Sequence, residues 1–325
     1  MRKLTLVAAT LMLNLTAVAD LYAQGFPTKP VRVLVGFAAG GPTDIITRVI
    51  AQDMSARMGQ ALVVENRAGA SGIIALDALL AAPSDGYTIS AFATPTVVAS
   101  IFAGKAWDPA SALAFIGNFT DSGSPILVNP EAPLMAKVKT LADLLAVAKA
   151  NPGKISYSTA GTGSTTHLFG VMLSRTAGVD WTHVGYKGMG PAGQDLLAGR
   201  LQFMVGRVGN DEELVKQGKL RAVANSGAER HDSFPDAPSI AESGYPGIAS
   251  TTWIGLVTRA GTPVEALDKL RNELRATVRT PDIQSKLAAA AAPVRYMNPQ
   301  QFAARVSKDY RDIAATIREN NIKAE

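Results

Sequence analysis

Three glycine-rich loops, at residues 38–43, 159–164 and 188–193, each follow a short apolar run and open an amphipathic one. The first is the most explicit. VRVLVGF (Val31–Phe37) is followed by AAGGPT, and apolar residues then fall at Ile45, Ile46, Val49, Ile50, Met54 and Met58. The β-branched run predicts a buried strand, and the later spacing predicts a helix with one buried face. Thr43 or Asp44 stands where a cap is needed, with Pro42 just ahead. Gly40 and Gly41 allow a sharp turn and a close backbone approach. Such a unit aims backbone N–H groups and the positive end of a helix dipole over the loop, so an anion fits there without a cationic side chain. Taken alone, the loop reads equally well as a plain turn.

The alternation continues along the chain. Further strands are predicted at Ala61–Glu65, Tyr87–Phe92, Pro125–Val128, Ile155–Ser158, Trp181–Val184, Leu201–Val205, Leu220–Ala224 and Thr251–Val257. Helices are predicted at Ile73–Ala82, from Thr140 to Ala150, from Thr165 to Thr176, up to Leu197, and over most of Pro263–Asn320 with breaks near Pro281 and Pro293. Thr140 and Asp143 have the spacing of a capping box. Alternating strands and helices predict an α/β fold with mostly parallel sheets. In such sheets ligands bind at the carboxyl ends of the strands. Two sheets whose loops face each other would enclose a cleft between two lobes.

The 325 residues, 47% hydrophobic and 18% charged, supply core enough for two domains. The net charge of +5 is spread without a basic arm or an aromatic-studded basic stripe, so no nucleic-acid partner is expected. Arg2 and Lys3 precede an apolar stretch, Leu4–Ala19, with small residues at Ala17, Ala19 and Ala23. That is the pattern of a cleavable secretory signal, assigned to residues 1–24, and it predicts export to the periplasm. No later run is long enough to span a bilayer. Cysteine is absent, which excludes disulfides, thiol nucleophiles and a lipid anchor.

Catalytic and cofactor motifs are missing as well. His167, His183 and His231 lack the spacing of a zinc site and read as packing or capping residues. There is no G-x-S-x-G elbow and no Walker loop, and Gly161–Thr166 (GTGSTT) lacks the third glycine of a dinucleotide fingerprint. No catalytic residue, metal or cofactor is expected. The segments after strands instead offer hydroxyls: Thr43, Thr94, Thr96, Ser158, Thr159, Thr162, Ser164 and Thr165. With backbone amides, they suit recognition of a carboxylate rather than bond breaking.

Seven segments occur in an order that resembles a known family: KPVRVLVGFAAGGPTDIITR, ALVVENRAGASG, PSDGYTI, NPGKISYSTAGTGSTTHL, HVGYKGMGPAGQDLLAGRLQFM, GKLRAVANSGAERHDSFPDAPSIAESGYPG and WIGLVTRAGTP. Together they resemble the Bug-type extracytoplasmic solute receptors of tripartite tricarboxylate transporters, over essentially the whole mature chain. The resemblance implies a type II periplasmic binding-protein fold, two α/β lobes joined by a hinge. The first lobe would comprise residues 25–124 and 226–325, and the second residues 125–225. It implies a monomeric receptor that closes on a small carboxylate and delivers it to inner-membrane permease subunits. The ligand positions it implies in the first loop are Phe37, Ala38, Ala39, Gly40, Gly41, Thr43 and Asp44. In the second lobe they are Ser158, Thr159, Gly161, Thr162, Ser164 and Thr165, then Gly188, Gly190, Pro191 and Ala192. Read from the residues themselves, the Thr94 hydroxyl after the third strand is a further candidate, and Arg207 is either a surface arginine or a fork for a second carboxylate.

Two departures stand out. Ala38 and Ala39 replace prolines often found before the paired glycines. Gly206 replaces a common acid, with Arg207 beside it. The second change favours a dicarboxylate, tricarboxylate or aromatic carboxylate over an amino acid. A sensory adaptor for a two-component system would share the same sequence features. A secreted hydrolase is disfavoured by the missing nucleophile motif.

Overall fold

The computed structural model describes residues 25–105, 108–159, 161–186, 189–206 and 210–322; the expected signal segment, Gly188 and Arg207 lie outside them. The first sheet grows from Val31–Val35 (β1), which pairs in parallel with Leu62–Asn66 (β2) and Thr88–Ala93 (β3). Strands in such a sheet are covered on both faces, which is why they read as continuous apolar runs. Alternate residues serve opposite faces. Val31, Val33 and Ile89 join the core beneath Pro42–Met58 (α1), whereas Leu34 and Phe92 join a second core with Ile73–Ala81 (α2). The sheet is completed by Leu113–Gly123 (β4) and Thr251–Arg259 (β10), in the order β2-β1-β3-β10-β4.

The second sheet repeats this plan. Ser156–Thr159 (β6) pairs in parallel with Thr182–Gly185 (β7) and Phe203–Val205 (β8), and Pro125–Val128 (β5) and Arg221–Asn225 (β9) complete the order β7-β6-β8-β5-β9. Both sheets are mixed rather than mostly parallel. β10 is antiparallel to β3 and β4, and β5 is antiparallel to β8 and β9. These two strands are the first that the chain forms after crossing between sheets, and each inserts in the reverse direction.

The remaining helices are Thr94–Phe102 (α3), Pro109–Ala112 (α4), Leu141–Ala150 (α5), Thr165–Ala177 (α6), Met189–Leu197 (α7), Asn210–Lys216 (α8), Val264–Thr277 (α9), Pro281–Ala289 (α10) and Pro299–Glu319 (α11). α3 and β4 were not anticipated. Thr-Pro-Thr-Val-Val has poor helix propensity, yet Pro95 sits in the first turn, where a missing N–H costs nothing. β4 carries Gly117, Asn118 and Asp121, residues that read as turn signals, and its register against β10 shifts twice.

The crossing from the first sheet to the second is at Ser124, between β4 and β5. The return, expected at Asn225, comes at Ser250–Thr251. Ile240 belongs to the second-sheet core, Tyr245 and Ile248 pack on it, and the chain rejoins the first sheet where β10 begins at Thr251. Asn225 nonetheless lies at the junction, opposite Pro125. Ser226 ties the segments together. Its Oγ accepts from the Ser124 N–H (2.8 Å) and donates to the Ser250 carbonyl (2.6 Å).

Candidate functional site

Two cavities of about 750 and 760 Å³ lie between the lobes. They share Pro95, Ser124, Met189 and Thr252, so they are two halves of one cleft. The first half reaches the loop after β1, the β4–β5 crossing and the start of α7; the second reaches the start of α2, the end of α3 and the start of α6. Loops at the carboxyl ends of strands from both sheets thus converge, as open α/β sheets arrange their ligands.

The loop after β1 is built differently from expectation. Asp44, buried at 2% exposure, accepts the Gly40 N–H at 2.9 Å, and the Gly41 N–H donates to the Ala38 carbonyl at 3.1 Å. These two amides are used within the loop and are not offered to a guest. Arg48 Nε and Asn66 Nδ2 also hold the Asp44 carboxylate, at 3.0 and 2.8 Å. Burial alone would raise the Asp44 pKa. The Arg48 bond, the Gly40 amide and the Asn66 amide outweigh it and leave the carboxyl below its usual range. Gly40, at φ 76°, is the left-handed residue of the turn, while Gly41 has an ordinary φ of −75° and serves as the N-cap of α1. Phe37 and Thr43 line the first cavity with Pro42 and Ile46; Ala38, Ala39, Gly40, Gly41 and Asp44 do not. Thr43 also brings its N–H, one of the first-turn amides that have no partner within the helix.

The loop after β6 borders the other half of the cleft. Gly161, Thr162, Ser164 and Thr165 line the second cavity. Ser164 caps α6 by accepting the His167 N–H at 3.2 Å. Two stacked imidazoles, His167 and His183, lie beneath the loop with centroids 3.8 Å apart. The Gly163 N–H donates to His167 Nδ1 at 3.0 Å, and Thr159 Oγ1 lies 2.7 Å from His183 Nε2. The histidines and Thr159 therefore brace the loop from below. Ser158 is fully buried, its Oγ has no hydrogen-bond partner, and it does not line the cleft. Across the cleft Phe102 closes on this loop: a Cβ on Gly163 would stand 2.7 Å from its ring.

Other expected positions divide similarly. Thr94 is buried, and its Oγ1 accepts the Trp253 N–H at 3.0 Å, fastening α3 to β10 instead of facing the cleft. Thr96 is spent on the Ser71 carbonyl at 3.0 Å. Gly190 lines the first cavity, whereas Pro191 points to solvent and Ala192 into the core of the second lobe.

Sequence reasoning missed Pro95, Ser122, Ser124, Met189 and Thr252, along with Asp211 at the start of α8. The hydroxyl-rich runs TDSGS and STT carried a signal for the first group, but only strand β4 explains why they meet. Asp211, 8% exposed, is the one formally charged residue among the described residues lining either cavity.

Comparison with known proteins places this geometry. The family model for the tripartite tricarboxylate transporter family receptor matches residues 46–322. A Cupriavidus necator protein, described as the UPF0065 protein in the gbd 5′ region, is 35% identical over 299 residues, 92% of this chain and 90% of the relative. The structure of the periplasmic binding protein BugD is 31% identical with a TM-score of 0.72, covering 92% of this chain and 100% of that one. An R. palustris protein, Rpa4515 with adipate, is 29% identical with a TM-score of 0.74, covering 92% and 99%. The mixed five-stranded sheets and the cleft between them are those of a type II periplasmic binding protein, and the chain belongs to the receptor family of tripartite tricarboxylate transporters, the Bug-type solute receptors.

Proposed function

We propose that this receptor captures a small carboxylate in the cleft between its lobes and delivers it, as a monomer in the periplasm, to the inner-membrane permease of a tripartite tricarboxylate transporter. Residues 25–124 and 251–322 would form one lobe and residues 125–250 the other. The observation that carries the reading is the cleft itself. Hydroxyls and backbone from both lobes face one space: Thr43, Ser122 and Thr252 on one side, Thr162, Ser164 and Thr165 on the other. Neutral donors of this kind bind a carboxylate directly or through bridging waters at nearly equal enthalpy. The first turn of α6 adds its unpaired amides and partial positive charge. The adipate held by the R. palustris relative supports the same ligand class.

A melting series tests this, using the chain without residues 1–24 and a panel of aliphatic, aromatic, di- and tricarboxylates. A ligand that binds only the folded state stabilises it by about 2.7 kcal/mol at a hundredfold excess over Kd. A clear upward shift with at least one carboxylate is expected. A flat response across the panel would remove the reading.

A further inference from the structure

The first-lobe wall of the first cavity presents carbon. Phe37, Ile46 and Ile254 line it together with residues 289–292, all of them alanine. Ile46, Ile254 and Ala292 also belong to the first-lobe core, and Phe37 packs against that core, so the wall is firmly backed. The alanines end α10 and turn the chain back toward β4, where an antiparallel bridge between Thr120 and Val294 fastens the segment. Their backbone donors are spent within the turn. The N–H groups of Ala290, Ala291 and Ala292 go to the carbonyls of Lys286, Ala288 and Leu287 at 3.1, 2.9 and 2.9 Å. Thr120 also lines the cavity, but its hydroxyl donates to the Pro293 carbonyl at 3.0 Å.

Ala291 is a second, independent sign. Its φ of 54° is left-handed, and at a helix end that conformation favours glycine, because a Cβ is strained there. The chain carries a methyl group at this position all the same, on a residue that lines the cleft. Strain of this kind is stored where function uses it. A ligand carboxylate set against this wall would lose water without gaining an amide from Ala290, Ala291 or Ala292 in return, which is costly. A hydrocarbon group would leave water at a gain. Hydroxyls for the carboxylate line the same cavity at the lobe crossing, from Ser122, Ser124 and Thr252. We propose that the alanine wall seats the hydrocarbon end of the ligand, so that the cleft selects carboxylates with an aromatic ring or alkyl chain at the far end over dicarboxylates of the same length. The inference rests on the carboxylate reading of the cleft and adds a substrate class and an orientation to it.

Titration calorimetry with two pairs of probes tests it: 4-methylbenzoate against terephthalate, and hexanoate against adipate. Within each pair a methyl group replaces the second carboxylate. In the native protein the methyl-ended member of at least one pair should bind at least about tenfold more tightly than its dicarboxylate. Ala291→Asn is the variant of choice, because asparagine tolerates a left-handed φ and keeps the fold while placing an amide in the wall. In it the gap should close, as the methyl-ended ligand loses and the dicarboxylate gains. Ala290→Asn, at the exposed helix end, serves the same purpose if the first variant folds poorly. A gap under tenfold in both pairs, or a gap unchanged in a folded variant, overturns the role of the wall and leaves the receptor reading intact. The same holds if none of the four binds while another carboxylate raises the melting temperature. A flat response to every carboxylate removes the receptor's ligand class, and this inference with it.

Discussion

Asp44 shapes the first binding loop without lining the cleft. In the sequence it stood as a capping residue or a ligand contact; in the structure it reaches back to Gly40 and is held by Arg48 and Asn66. Asn66 also donates to the Phe37 carbonyl at 3.1 Å, so both ends of the loop are fixed from below. Replacing Asp44 with Asn leaves a buried polar cluster mispaired and is expected to cost about 2 kcal/mol at neutral pH. The folded-state pKa lies below the unfolded value of 3.8, so this contribution is complete above that pH and fades as pH falls through the lower folded value. The difference in melting temperature between native protein and Asp44→Asn should therefore narrow in acid. A constant difference at all pH values would deny the carboxylate its charged role. The identity of this loop was legible in the sequence, because glycine and proline mark turns by backbone geometry. Which amides it leaves open was not, since that depends on Asn66, which lies on a different strand.

Elements with strong local signals were read correctly, and those formed by tertiary contacts were not. The Thr140–Asp143 capping box exists as expected, and the C-terminal region breaks into helices at Pro281 and after Pro293. β4 was missed because its partner β10 lies far along the chain and supplies the pairing that its own residues do not advertise. α11 depends on a similar long-range contact. Arg305 donates to Asp309 on its own helix, to Asp121 on β4 at 3.0 Å, and to Thr251 Oγ1 at 2.6 Å, beside the return crossing. Burial pushes the Asp121 carboxyl pKa up, against the pull of Arg305. Arg305→Met would leave Asp121 without its cation and is expected to destabilise by about 3 kcal/mol, measured by denaturant unfolding. A loss within error would show that the pair is dispensable. At α6, Ser164→Ala removes a cap and should cost about 1 kcal/mol while also weakening ligand binding, because Ser164 lines the second cavity. Lost stability with unchanged affinity would confine Ser164 to the helix.

The whole molecule is two copies of one sheet plan joined where Ser124, Ser226 and Ser250 meet. The two-lobe architecture was legible because strand–loop–helix units repeat along the chain. The assignment of residues 226–250 was not, because Ile240 and Ile248 announce hydrophobicity but not which core receives it. Short crossings of this kind let lobes rotate about a few residues. Contacts already span the cleft, with Phe102 against Gly163 and Arg175 paired to Glu319 at 3.1 Å. Phe102→Ala should loosen this contact between the lobes, giving a larger radius of gyration by small-angle scattering without ligand; an unchanged radius would mean that Phe102 does not hold the lobes together. The central claim is that the ligand sits between the lobes, and Thr252, which faces both halves of the cleft from β10, allows a direct test. Titration calorimetry on Thr252→Trp, compared with the native protein and the best carboxylate from the melting series, is the decisive measurement. An indole filling the shared space should weaken binding by at least about a hundredfold, or 2.7 kcal/mol, in a protein that still unfolds cooperatively; native affinity in that folded variant would place the ligand elsewhere.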